Sequence, residues 1–72
     1  MQALKLLTDL QRKFLVQMNS YHRSRANDRD GKYKMRYIVN LRIDRKSQSL
    51  IVTFKNLEVF SYSGTGAIIK IK

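Results

Sequence analysis

Six cations crowd the stretch between positions 23 and 36: Arg23, Arg25, Arg29, Lys32, Lys34 and Arg36. Only Asp28 and Asp30 oppose them there. Guanidinium and ammonium groups at this density suit phosphate oxygens, which Arg meets as a planar fork and Lys as a point charge. Contacts of that kind give affinity with little reading of sequence. The plainer alternative is a solvated connector whose charges keep it exposed. His22 adjoins the run, and a ribonuclease would use such a histidine as general acid or base. No second His, Glu or nucleophile stands at a supporting spacing. His22 is therefore expected at the surface near a helix end, and the chain is expected not to be an enzyme. Gly64-Thr65-Gly66 lacks the lysine and helix that follow a phosphate-binding loop, so it reads as a turn.

The whole chain shares this sign of charge. Fifteen Lys and Arg stand against five Asp and Glu in 72 residues, a formal net charge of +10. Like charges oppose compaction, so a chain that folds despite them is expected to meet a polyanion or an acidic protein. At 43% hydrophobic residues the composition is that of a folded domain, not of a disordered tail. Cysteine is absent and histidine occurs once, which leaves neither disulfides nor a thiolate or His-rich metal site. No cofactor is implied. Lys5, Asp9, Arg12 and Lys13 interrupt the apolar residues near the N-terminus, unlike a signal peptide. No segment offers the ~20 apolar residues of a membrane span. Insertion into a membrane is not expected, and a cytoplasmic location is.

The elements that position these groups follow from a change of period. Ala3, Leu7, Leu10, Phe14, Met18 and Tyr21, flanked by Leu4, recur at helical steps. They predict one amphipathic helix over about residues 2–24. Asn27-Asp28-Arg29-Asp30-Gly31 is a strong breaker and places a loop over about residues 25–32. From Tyr33 the pattern alternates. Tyr33, Met35, Tyr37, Val39, Leu41 and Ile43 form one inward face, which predicts a long half-buried strand. A tip at Lys46-Ser47 sets Ile43 opposite Leu50, Leu41 opposite Val52 and Val39 opposite Phe54. A turn at Ser63 to Gly66 sets Tyr62 opposite Ala67 and Phe60 opposite Ile69. The fold class is α+β: one single small domain, 1–72, with an N-terminal helix on a three- or four-stranded antiparallel meander spanning about residues 33–72.

The helix covers one face of that sheet, and the other is expected to be wet. Lys34, Arg36, Asn40, Arg42, Thr53 and Lys55 fall on the wet side, joined by Lys70 and Lys72. Ile38, Ile51 and Ile68 share it and predict an apolar ridge, a contact for a protein partner or for a second copy in a homodimer. Lys5, Arg12 and Arg23 share a solvated helix face. Tyr33 and Tyr37 read as core, while Tyr62, beside a turn, is a candidate for exposed base stacking. The leading expectation is a small accessory protein that binds DNA or RNA through Arg23, Arg25, Arg29, Lys32, Lys34, Arg36, Arg42 and Lys55. The alternative is a protein-interaction module or inhibitor, of phage or mobile-element type, that docks on an acidic protein surface.

Overall fold

The structure, a computed structural model, describes residues 7–72. Among these residues the one α-helix, α1, runs Asp9–Arg25. Thr8 starts it with a capping box. Its Oγ1 accepts the Gln11 N–H at 3.1 Å, and Gln11 Oε1 accepts the Thr8 N–H at 2.9 Å. The Thr-x-x-Gln spacing satisfies two orphan donors at once. Thr8 itself is extended, so the helix begins later than the expected position 2. The expected helical residues Ala3, Leu4 and Lys5 lie outside the described residues. At the other end Asn27 takes a left-handed φ of 51°. The Asn27 N–H donates to Ser24 O and the Asp28 N–H to Arg23 O. That paired closure is a Schellman motif, which occupies the last carbonyls of the helix.

Four antiparallel strands follow: β1 (Ile38–Asp44), β2 (Ser49–Phe54), β3 (Val59–Ser63) and β4 (Ile68–Lys70). They lie in the order β1-β2-β3-β4, so β1 and β4 are the edges. The α+β class and the N-terminal helix agree with the sequence reading. Among the described residues, no helix is long and apolar enough to cross a membrane.

Three local readings are corrected. First, the helix buries Leu15, Met18, Asn19 and His22, about a quarter turn from the expected stripe. Leu10 and Tyr21 are exposed. Two polar residues on the buried face misdirect a hydropathy pattern.

Second, β1 does not begin at Tyr33. Met35–Tyr37 forms a short 3₁₀ helix, and a bulge follows between Ile38 and Asn40. The extra residue flips the parity. Ile38 thus faces Phe54 in the core at 2% exposure, while Val39 is exposed. The expected pairs Leu41–Val52 and Ile43–Leu50 do form.

Third, β4 is displaced by one residue. Tyr62 pairs with Ile68 and Phe60 with Lys70, so Ile68 turns inward and packs against the core.

The cause of that displacement is a turn type used twice. In Ser63 to Ala67, the Gly66 N–H donates to Ser63 O and the Ser63 N–H to Ala67 O. In Phe54 to Glu58, the Leu57 N–H donates to Phe54 O and the Phe54 N–H to Glu58 O. Each is a three-residue hairpin loop closed by a residue in the left-handed region. Gly66, at φ 92°, takes that conformation without steric cost. Leu57 takes it at φ 72°, 76% exposed and outside the core. Leu57→Gly should therefore relieve strain without removing packing. We expect thermal unfolding to show a gain of about 1 kcal/mol; a loss would mean that the exposed side chain contributes contacts of its own.

Candidate functional site

The centre of the molecule is a cluster of rings around His22. The imidazole stacks on Tyr33 at 4.4 Å between centroids and touches Phe60 at 4.2 Å. Phe54 and Tyr62 complete the enclosure. His22 is buried, so the expectation of a surface histidine is corrected. Its apolar neighbours lie on distant strands, which local spacing does not reveal.

Polar groups thread the cluster in a definite order. Tyr62, fully buried on β3, places its Oη 2.7 Å from His22 Nδ1. Asn19 Nδ2 donates to Tyr33 O at 2.8 Å and meets Tyr62 Oη at 3.4 Å. Asn19 supplies protons to that phenol, so the phenol gives its own to Nδ1, and the neutral imidazole carries its proton on Nε2. Tyr33 Oη donates to Glu58 in a short hydrogen bond, and Glu58 faces Lys70 at 3.9 Å.

Burial lowers the His22 pKa, against the opposing pull of the Asp28 and Glu58 charges. Burial pushes the Tyr62 phenol up to about 12, with the Asn19 hydrogen bond acting the other way. Burial and the Glu58 carboxylate raise Tyr33 to about 12.

Asp28 builds the neighbouring loop. Its Oδ1 accepts the Lys32 N–H at 2.9 Å, and its Oδ2 accepts the Tyr33 N–H at 2.9 Å and Arg23 Nε at 3.0 Å. Partial desolvation would raise this carboxyl, but the bonds from Tyr33, Arg23 and Lys32 outweigh it and leave the pKa lowered. Gly31, at φ 73°, lets Lys34 fold over it; a Cβ there would lie 2.7 Å from Lys34 Cε.

Three of the cations on this flank pair with rings. The Arg25 guanidinium lies 5.4 Å from the Tyr21 ring centre and donates to Tyr21 Oη at 2.8 Å. Lys32 Nζ lies 5.1 Å from the Tyr33 ring and Lys55 Nζ 6.0 Å from the Tyr37 ring. Lys32, Lys55 and Tyr37 line one shallow hollow together with Asp30 and Asn56. A deeper cleft of about 510 Å³ opens between the end of α1 and β4, with Arg25 and Lys70 among its walls.

Each expected site residue can now be placed. Arg25, Arg29, Lys32 and Arg36 are exposed on the helix end, the loop and the 3₁₀ turn, with Lys34 half-buried among them. Arg23 is tied to Asp28. Lys55 joins this group just past β2. Arg42 stands apart on the outer sheet face, opposite Ile51.

The expected broad basic sheet face does not form. Lys34 and Arg36 precede β1, and Lys70 shares the parity of the core residue Phe60. The expected ridge also changes. Ile38 and Ile68 face the core, and only Ile51 lies on the outer side, where it is buried. Ile43, Ile69, paired with Ser61, and Ile71 are the exposed isoleucines. Tyr62 is core and unavailable for stacking.

Sequence reasoning missed the role of Tyr21. Its four-residue spacing from Arg25 was the available signal, since such pairs meet on a helix. Among the described residues no group of three His, Cys, Asp or Glu could hold a metal ion. No known protein family, curated protein or solved structure matches this chain.

The buried ring system predicts a two-sided pH profile. In the unfolded chain His22 takes up a proton near pH 6.5, while the folded site resists it. Stability is thus full above that pH and falls as the pH drops below it. Tyr33 and Tyr62 act in the opposite sense. Their folded phenols keep the proton to about 12 against 10 when unfolded, so stability is lost as pH rises above 10. Thermal melts across this range should give a plateau with two descending limbs. His22→Gln should flatten the limb just below neutrality, and Tyr62→Phe should shrink the alkaline one. An unchanged acid limb in His22→Gln would contradict the neutral buried ring.

Proposed function

We propose that this protein binds nucleic acid through backbone contacts along the flank formed by the end of α1, the loop to β1 and the start of the β2–β3 turn. One observation carries the reading: three cation–ring pairs, Arg25–Tyr21, Lys32–Tyr33 and Lys55–Tyr37, lie on this flank. Asp28 is turned inward by its three hydrogen bonds, so Asp30 is the acid left exposed among the loop's cations. Of the three rings, Tyr21 is exposed and Tyr37 half-buried, and cations beside such rings suit a strand of phosphates and bases. The buried His22 holds a fixed proton and a structural hydrogen bond, so we read the protein as a binder and not as a nuclease.

An acidic protein surface is the second reading. The exposed Leu57, Ile69 and Ile71 favour it, because phosphates have no use for them. The same residues would serve a pairing of two copies along β4, which a mass measurement in solution tests.

Titration of DNA and RNA, single- and double-stranded, across a salt series tests the leading reading. For three to six phosphates, log K should fall against log salt with a slope of about −3 to −5. Arg29→Glu with Lys32→Glu should weaken binding to all sequences alike and make the slope shallower. Arg42→Glu, on the outer face, should do much less. Absence of binding to every nucleic acid at low salt would remove this reading and leave the acidic protein surface.

A further inference from the structure

The cleft between the end of α1 and β4 has features that phosphate contact alone does not require. Its walls include Tyr21, His22, Tyr33 and Phe60, with Arg25 and Lys70 as its cations. Its volume of about 510 Å³ lies within the range of small-ligand sites. Small residues border it: Ala26, Gly66 and Ala67. A Cβ at Gly66 would meet nothing within 4 Å, so that border is open.

We infer that this cleft is a subsite for one unpaired base of a single-stranded nucleic acid, with the flanking phosphates held by Arg25 and Lys70. The inference rests on the nucleic-acid reading and narrows it to single strands. Tyr21 is 45% exposed and keeps the Arg25 guanidinium beside its ring, so a base stacks on an aromatic surface that already carries a cation. His22 adds a polar edge. With Nδ1 taken by Tyr62, its Nε2–H is the donor left for a base carbonyl.

Charge decides where the phosphates go. The C-terminal end of α1 carries a partial negative charge, and its last carbonyls are already bonded. Anions must therefore be met by side chains. Lys70 is free to turn, because its contact with Glu58 is long at 3.9 Å and its side chain is 58% exposed. A paired base in a duplex has no face to offer such a cleft, whereas an unstacked base does.

Binding of a short oligothymidylate, an abasic strand of the same length and a DNA duplex tests this. The wild-type chain should prefer the thymidylate over the abasic strand by about tenfold. Ala67→Trp, which fills the border while leaving the backbone hydrogen bond of residue 67 in place, should abolish the preference. It should not weaken binding to the abasic strand. Tyr21→Ala, at an exposed position, should also abolish the preference if the tryptophan variant fails to fold, with a smaller loss toward the abasic strand because Arg25 loses its partner. Equal binding of thymidylate and abasic strands by the wild type, or a preference that survives both substitutions, overturns the inference while the backbone reading stands. Binding to none of the three nucleic acids overturns both. An acidic peptide that outcompetes the thymidylate at Tyr21 and Arg25 overturns the base subsite in favour of protein docking.

Discussion

A fully buried phenol needs somewhere to put its proton, and the rest of the structure is arranged around that need. Tyr62 sits on a central strand with no access to water. Leaving its hydroxyl unbonded would cost about 1–3 kcal/mol, a serious loss for a domain of this size. The helix answers with Asn19 and His22, three residues apart and therefore on one face. Those two contacts fix α1 both in rotation and in height above the sheet. Apolar packing alone is tolerant of sliding; a hydrogen bond of 2.7 Å is not. Once α1 is placed, Leu15 and Met18 fall onto the sheet, and Leu10 and Tyr21 are turned outward.

The same end of the helix explains how so basic a chain tolerates its charge. The ion pairs within the described residues are Arg23–Asp28 and Lys70–Glu58. Both acids also have structural tasks. Asp28 holds two backbone N–H groups of the loop, and Glu58 accepts the phenol of Tyr33. Acidic side chains are thus used to shape the backbone more than to neutralise the surface. Asp9 and Asp30 stay exposed, but the balance of charge is positive at a net +10, and salt or a polyanion must supply the missing counter-charge.

Much of this architecture is legible in the residues, and the errors have physical causes. The breaker at Asn27 to Gly31 and the alternation of Leu41, Ile43, Leu50 and Val52 locate the loop and the first hairpin. Their information is local: turn chemistry and a period of two. The bulge at Val39 and the left-handed Leu57 leave no such trace, because each depends on how the strand meets its neighbour. The slip of β4 was in principle readable. Gly66 in a loop of three demands one more residue than a simple two-residue turn, and that residue brings Ile68 inward. The buried face of the helix escapes the pattern for a different reason. Asn19 and His22 are polar by type and buried by partnership, and a partner such as Tyr62, forty residues from His22, is invisible to periodicity. The cations near the loop were legible as a run, since their sequence neighbours stay neighbours in space. The cleft was not, because β4 supplies one of its walls.

Site and core meet in single residues, and this gives the flank its character. Successive helix positions step by about 100°, so Tyr21 and His22 point to different surroundings although they are adjacent. Tyr21 offers its ring outward to Arg25 and the cleft; His22 sends its ring into the cluster. Tyr33 serves both sides. One face of its ring stacks on His22, while Lys32 approaches it from the loop and its hydroxyl reaches Glu58. On the proposed reading, Tyr21, Arg25 and Tyr33 are already held by contacts within the fold, and Lys70 is the group left to be ordered. The ordering cost of binding is reduced accordingly, and the geometry of the flank is as stable as the aromatic cluster beneath it. A substitution that loosens Tyr62 or Asn19 therefore acts on the cleft through the helix, without touching any residue that a ligand would meet.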